Sequence, residues 1–243
     1  MSEIYLENAA KQANKQPDFL NFGHYVIEPA PIPEYLMRFW VGHMGLKCGK
    51  LLTASICICN MHPLLEGSFW IDHKEDQRKY HRALKLPNEE FSGMKETVEQ
   101  LFNGGKLDID SRFVCLSDAV FFREKYLQNL PDLKIISIYL EDVFRDELLK
   151  DCADWLNAPA APDSSRIEGK FLGYDLLGWS ISGFHSHYCN ALMEYFPKNL
   201  SLKINEFGII QNKYEEVKAY AKAVMGKGEP VNWLPFAVYG HNF

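Results

Sequence analysis

Lys134-Ile-Ile-Ser-Ile-Tyr-Leu140, followed at once by Glu141-Asp-Val-Phe-Arg-Asp-Glu-Leu-Leu-Lys-Asp-Cys-Ala-Asp-Trp-Leu156, is the stretch that decides the fold. The first run is short, apolar and rich in β-branched residues, as suits a strand covered on both faces. In the second, Phe144, Leu148, Cys152, Trp155 and Leu156 recur at helical spacing among charges, as suits a helix lying on a sheet. Strand and helix signals go on alternating in both directions. Upstream, Met94, Val98, Leu101 and Phe102 mark a helix from about Phe91 that Asn103-Gly104-Gly105 stops, because these residues tolerate positive φ. Arg112 to Leu116 reads as a short strand, and a helix after Ser117 takes its apolar stripe from Val120, Phe121 and Leu127. Downstream come a strand from Phe171 to Leu177, a helix from about Gly183 to Tyr195, a helix from Tyr214 to Met225 and a closing strand from Val231 to Tyr239. The class is α/β or α+β, a mixed sheet with helices packed on it, with strand order left open.

The amino-terminal third is less regular. Residues 3–16 carry a weak amphipathic stripe, and Asn21 to Pro33 reads as an extended connector, since prolines at 29, 31 and 33 remove donors that a central strand needs. A helix from Glu34 to about Gly42 and a buried strand from Leu51 to Cys59 follow, then a charged, exposed helix or loop from His73 to Leu86. Asn157-Ala-Pro-Ala-Ala-Pro-Asp-Ser-Ser165 is linker-like in composition. The chain is read as a single domain, 1–243, with a possible two-lobe division into 1–156 and 167–243.

Of 243 residues, 47% are hydrophobic, and 26 Lys plus Arg face 32 Asp plus Glu for a formal charge of −6. This composition excludes disordered, collagen-like and coiled-coil classes. The first twenty residues lack a basic segment followed by an apolar one, and the longest apolar run is about half of the ~18 residues that a membrane-spanning helix needs. A cytoplasmic protein with reduced cysteines and no membrane association is expected. Acidity makes nucleic acid an unsuitable partner, since affinity for phosphate comes from clustered Lys and Arg. The basic run from Lys74 to Lys85 is interleaved with acids and holds a single aromatic, Tyr80.

Four constellations bear on chemistry. Cys57, Cys59 and His62, with Cys48 upstream, are zinc-type ligands; their spacing is that of one strand face rather than a knuckle, so buried thiols are the reading preferred, and metal binding is left open. Gly178-Trp-Ser180-Ile-Ser182-Gly183, between a strand and a helix, approximates a hydrolase nucleophile elbow but breaks the G-x-S-x-G pattern at Ser182. With His185 and His187 nearby it forms the alternative, enzymatic site, competing with a plain hydroxyl cap on a helix. His185 and Cys189 lie four apart on the same expected helix, poor geometry for a base and a nucleophile. Finally, acids outnumber bases over 91–155, and Asp142, Asp146 and Asp151 lie along the 141–156 helix. A solvated face explains them, and so does a docking surface for a basic protein, where charge steers association.

Phe171-Leu-Gly-Tyr-Asp-Leu-Leu177, Ser180-Ile-Ser-Gly183, Cys189-Asn-Ala-Leu192, Asn205-Glu-Phe-Gly-Ile-Ile210 and Val231-Asn-Trp-Leu-Pro-Phe-Ala-Val238 together resemble immunity proteins of bacterial polymorphic-toxin and contact-dependent systems, and allied bacterial families. The resemblance covers the last third only, and the Cys189-Asn190 order is reversed relative to that pattern. It implies a small cytoplasmic, non-enzymatic protein that binds and occludes one toxin, without cofactor or metal. The same residues also have a family-free account: Gly173 and Gly208 for close backbone approach, Asp175 and Asn205 for caps or Asx turns. Asp142, Asp146 and Asp151 are the expected partner contacts.

Overall fold

A computed structural model describes residues 19–27, 77–78, 81–82, 84–108, 112–129, 133–147, 167–180, 183–187, 192–205, 209–228 and 231–241. Five strands run in them: β1 (Phe19–Ile27), β2 (Lys134–Glu141), β3 (Lys170–Ser180), β4 (Gly183–Ser186) and β5 (Leu234–His241). They form one sheet in the order β1-β2-β5-β3-β4, and every pairing is antiparallel. Of the two classes left open, this is α+β. β5, the last strand, lies between β2 and β3, so strands from both sides of the 157–165 segment share one hydrogen-bonded sheet.

Among the described residues three helices with defined bounds accompany the sheet. α1 (Asn88–Asn103) buries Met94, Val98 and Leu101 at helical spacing; Glu89 and Glu90 in its first turn complement the helix dipole. It stops at Gly104 and Gly105, the latter at φ 68°. α2 (Leu116–Tyr126) buries Ala119, Phe122 and Tyr126, while Phe121 is half exposed. Val120 and Leu127 of the expected stripe pack on the α1 core, but Phe121 does not: Phe122 and Tyr126 are the rings that reach it. α3 (Tyr214–Val224) buries Val217, Tyr220, Ala221 and Val224.

Four further expectations are corrected. The segment from Gly183 is not a helix to Tyr195: Gly183–Ser186 is β4, and a short 3-10 turn covers Leu192–Tyr195. Ser180 pairs with Gly183 across the ladder, so Ser180-Ile-Ser-Gly183 joins two antiparallel strands where a hydroxyl-capped helix start was expected. Arg112 to Leu116 supplies only isolated bridges, Phe113 with His24 and with Leu107. The clear helix expected at 141–156 begins as a 3-10 turn, Asp142–Phe144, and is helical to 147, beyond which it lies outside the described residues. Phe19–Ile27 is a strand where a connector was expected, at the edge of the described sheet and thus not central. The 3–16, 34–42 and 51–59 elements lie outside the described residues.

The sheet has two faces. One is apolar and buried: Phe22, Tyr25, Ile136, Ile138, Leu140, Leu177, Leu234, Phe236 and Val238, with Phe144, Leu172 and Ile209 packed against them. The other carries α1 and α2 over Val26 and Ile135, and α3 over Leu176. Burying these clusters at ~25 cal/mol per Å² of apolar area is the main force holding the layers together. Between the two helical clusters lies a band that is neither aliphatic nor polar throughout, and register fixes its contents.

Candidate functional site

Antiparallel register places two rows of side chains across that band. His24 pairs with Ser137, Ser137 with Tyr239, and Tyr239 with Phe171; in the next row Asn21 pairs with Tyr139, Tyr139 with Ala237, and Ala237 with Tyr174. These residues share a face because side chains alternate with period two and both β1 and β3 carry a bulge that restores the alternation. Each bulge holds a glycine at strongly positive φ, Gly23 at 133° and Gly173 at 132°. A Cβ on Gly23 would lie 2.6 Å from Arg112 Cγ, and one on Gly173 would lie 2.5 Å from the Ile210 carbonyl oxygen. Gly173 therefore has the close-approach role expected of it.

The Arg112 side chain buttresses the first bulge. Its Nη1 donates to the Phe22 carbonyl at 2.5 Å, its Nε donates to Asp108 Oδ2 at 2.5 Å, and its guanidinium lies 4.8 Å from the centre of the Phe22 ring. The pair is almost fully buried.

On this support stands a chain of hydrogen bonds whose direction can be deduced as far as Ser137. The Gly23 N–H donates to Asn21 Oδ1 at 2.8 Å, which assigns the amide oxygen. Asn21 Nδ2 is then the atom 3.1 Å from His24 Nε2 and must donate to it. His24 Nε2 is an acceptor, so the neutral ring carries its proton on Nδ1, which donates to Ser137 Oγ at 2.6 Å. Ser137 Oγ is also 2.6 Å from His241 Nε2, where either atom can donate according to the His241 tautomer. Burial, aided by the positive charges of His241 and Arg112, lowers the His24 pKa to about 4. Burial also lowers His241, against the opposing pull of the Glu168 carboxylate. The His24 ring is neutral at pH 7, as its acceptance of the Asn21 N–H requires.

A serine hydrogen-bonded to an imidazole has the geometry of a nucleophile and its base. Ser137 has no exposed surface, however, and its oxygen already accepts from His24. The chain orders protons and locks β1, β2 and β5 together; it offers no surface to a substrate.

The expected alternative site is arranged differently from a catalytic pocket. His187 is fully buried in the core, its Nδ1 3.3 Å from the Tyr220 hydroxyl and its Nε2 3.5 Å from Asp175 Oδ1. Asp175 thus faces a buried histidine, and Asn205 forms the expected local turn, accepting the Ile209 N–H at 2.9 Å. Ser180 pairs with Gly183 and His185 with Gly178, so both occupy a β-hairpin and neither a helix. Ser182 and Cys189 lie outside the described residues, as do Cys48, Cys57, Cys59 and His62. Among the described residues no group of three or more His, Cys, Asp or Glu could hold a metal ion.

The acidic segment is a surface. Glu141 turns back to the fold, accepting from the Tyr214 hydroxyl at 2.8 Å with Lys218 Nζ 3.9 Å away. Phe144 packs on the apolar sheet face. Between and beyond these anchors Asp142, Val143, Asp146 and Glu147 point outward, Val143 with 68% of its surface exposed. Asp142 makes a 2.6 Å ion pair with Arg145. Asp151 lies outside the described residues. No protein-family model, curated protein or solved structure matches the chain.

Sequence reading missed the histidine–serine chain because its members lie 113 and 104 residues apart. One signal was present: Ser137 puts an aliphatic hydroxyl among the apolar residues of the strand, and a buried hydroxyl must find partners. Among the described residues no helix is long and apolar enough to cross a membrane.

Proposed function

We propose that the protein is a non-enzymatic binding protein of the cytoplasm, an immunity protein that occludes a basic cognate toxin. The observation that carries the reading is the outward presentation of Asp142, Val143, Asp146 and Glu147 from a segment anchored at Glu141 and Phe144. Acidic side chains around an exposed apolar residue steer a basic partner and leave an apolar contact for anchoring. The likeness of the last third to immunity families makes a toxin the partner. The burial of His187 and of Ser137 weighs on the same side, since neither offers a reactive group to solvent. Replacing Asp142, Asp146 and Asp151 by Lys together should weaken partner binding by two orders of magnitude or more, read by titration calorimetry; unchanged affinity would remove this surface from the account.

A further inference from the structure

Six aromatic rings follow one another in edge-to-face or tilted contact across the middle of the sheet: Tyr139, Tyr239, Phe171, Tyr174, Tyr214 and Phe19. Successive centroids are 5.1, 5.3, 5.1, 5.1 and 5.3 Å apart. The two helix-bearing clusters could have buried such rings wholly, yet Phe171 keeps 46% of its surface exposed, and Tyr174, Tyr214 and Tyr239 are only half-buried. Tyrosines on a rigid sheet present large contact area at little entropic cost, which is why they anchor interfaces.

A carboxylate borders each end of the strip. Glu141 accepts from the Tyr214 hydroxyl at one end, and Glu168, whose N–H donates to the Tyr139 hydroxyl, stands at the other; exposed Lys170 precedes Phe171 on β3. Of the cations nearby, Lys218 is held by Glu215 at 2.8 Å and by Glu141, and its ammonium lies 4.7 Å from the centre of the Tyr214 ring. The strip already takes one cation on a ring face in this way.

We infer that the Phe171–Tyr239–Tyr174 surface is the anchoring half of the partner interface and receives arginine side chains of a basic protein, stacked on the rings and neutralised by the acidic rim. The inference rests on the binding reading above and deepens it: the rim steers, and the rings hold. Arginine suits the strip better than lysine because its planar guanidinium stacks on an aromatic face while its edge still reaches a carboxylate.

The test uses the full chain and a defined probe, a hexa-arginine peptide, with the hexa-citrulline peptide as its uncharged isostere. Calorimetric titration should show saturable binding of the arginine peptide and none of the citrulline one. Phe171→Leu, which keeps apolar bulk and removes the ring, should weaken binding about threefold to tenfold, and Phe171→Ala no less. Phe121→Ala, which removes an equally exposed ring on α2 that already has Lys125 5.2 Å from its centre, should leave affinity unchanged. Equal binding of the citrulline peptide, or unchanged affinity in Phe171→Leu, overturns the inference. Asp142→Lys with Asp146→Lys separates the two claims. If it weakens binding while Phe171→Leu does not, the acidic surface stands without the rings; the reverse pattern leaves the rings and removes the acidic surface.

Discussion

Acidification should destabilise the fold through His24 in a way that can be isolated. The ring is neutral and accepts from Asn21, and its pKa falls from 6.5 to about 4. Between those values the unfolded chain binds a proton that the native chain refuses, so stability is fully present above the unfolded value and declines as pH falls. Each pH unit costs up to ~1.4 kcal/mol, and the loss from His24 reaches about 3 kcal/mol once pH is at or below 4. His241, lowered in the same direction, adds to it. His24→Gln removes the titration. It costs about 1 to 3 kcal/mol at pH 7 by leaving Ser137 or Asn21 short of a partner. The variant should therefore be less stable than the natural chain at neutral pH and should approach it near pH 4, because only the natural chain pays the protonation cost. Urea unfolding followed by intrinsic tryptophan fluorescence, to which buried Trp233 contributes, at pH 7.5, 6, 5 and 4 for both proteins, gives the difference directly. Contributions from the carboxylates, common to both proteins, cancel in it. A difference that stays constant from pH 7.5 to 4 would refute the hydrogen-bond order deduced for this chain.

Other outcomes follow from the same geometry. Gly23→Ala places a Cβ 2.6 Å from Arg112 Cγ at a φ of 133°, and should cost about 2 kcal/mol or more of unfolding free energy by urea titration. Arg112→Met takes the guanidinium away from the buried Asp108 carboxylate and one donor from the Phe22 carbonyl, and should cost about 3 to 5 kcal/mol, part of it recovered in the Arg112→Met, Asp108→Asn double variant. Asp142→Lys with Asp146→Lys should change stability by no more than about 1 kcal/mol, since both residues are exposed and the Asp142–Arg145 pair is a surface one; a thermal melt checks that a loss of binding in this variant is not a loss of fold.

The elements legible in the sequence were those whose signals are local. β2 runs from Lys134 to Glu141 because a run of apolar, β-branched residues is bounded by charges, and α1 ends at Gly104 and Gly105 because those residues end helices. α3 was read within a residue at its end from Val217, Ala221 and Val224. β4 was missed because Ser180-Ile-Ser-Gly183 serves as well for a two-residue hairpin as for a capped helix, and only the pairing of Gly178 with His185 distinguishes them. The α2 face was misread at Phe121 because burial there depends on which ring meets α1, a tertiary fact. Asp142 and Asp146 were legible as a charged surface, whereas the row His24, Ser137, Tyr239 and Phe171 exists only once β5 is inserted between β2 and β3.

The central claim is that the protein acts by holding a basic protein partner. Tagged natural chain and its Asp142→Lys, Asp146→Lys, Asp151→Lys variant, each used as bait in native host lysate with a high-salt wash, test it most directly. The account predicts one tightly held basic protein, whose toxic activity the natural chain suppresses in stoichiometric mixture, retained by the natural chain and lost by the variant. Retention of the same protein by both baits, or an empty capture from lysate that demonstrably contains candidate partners, would contradict it.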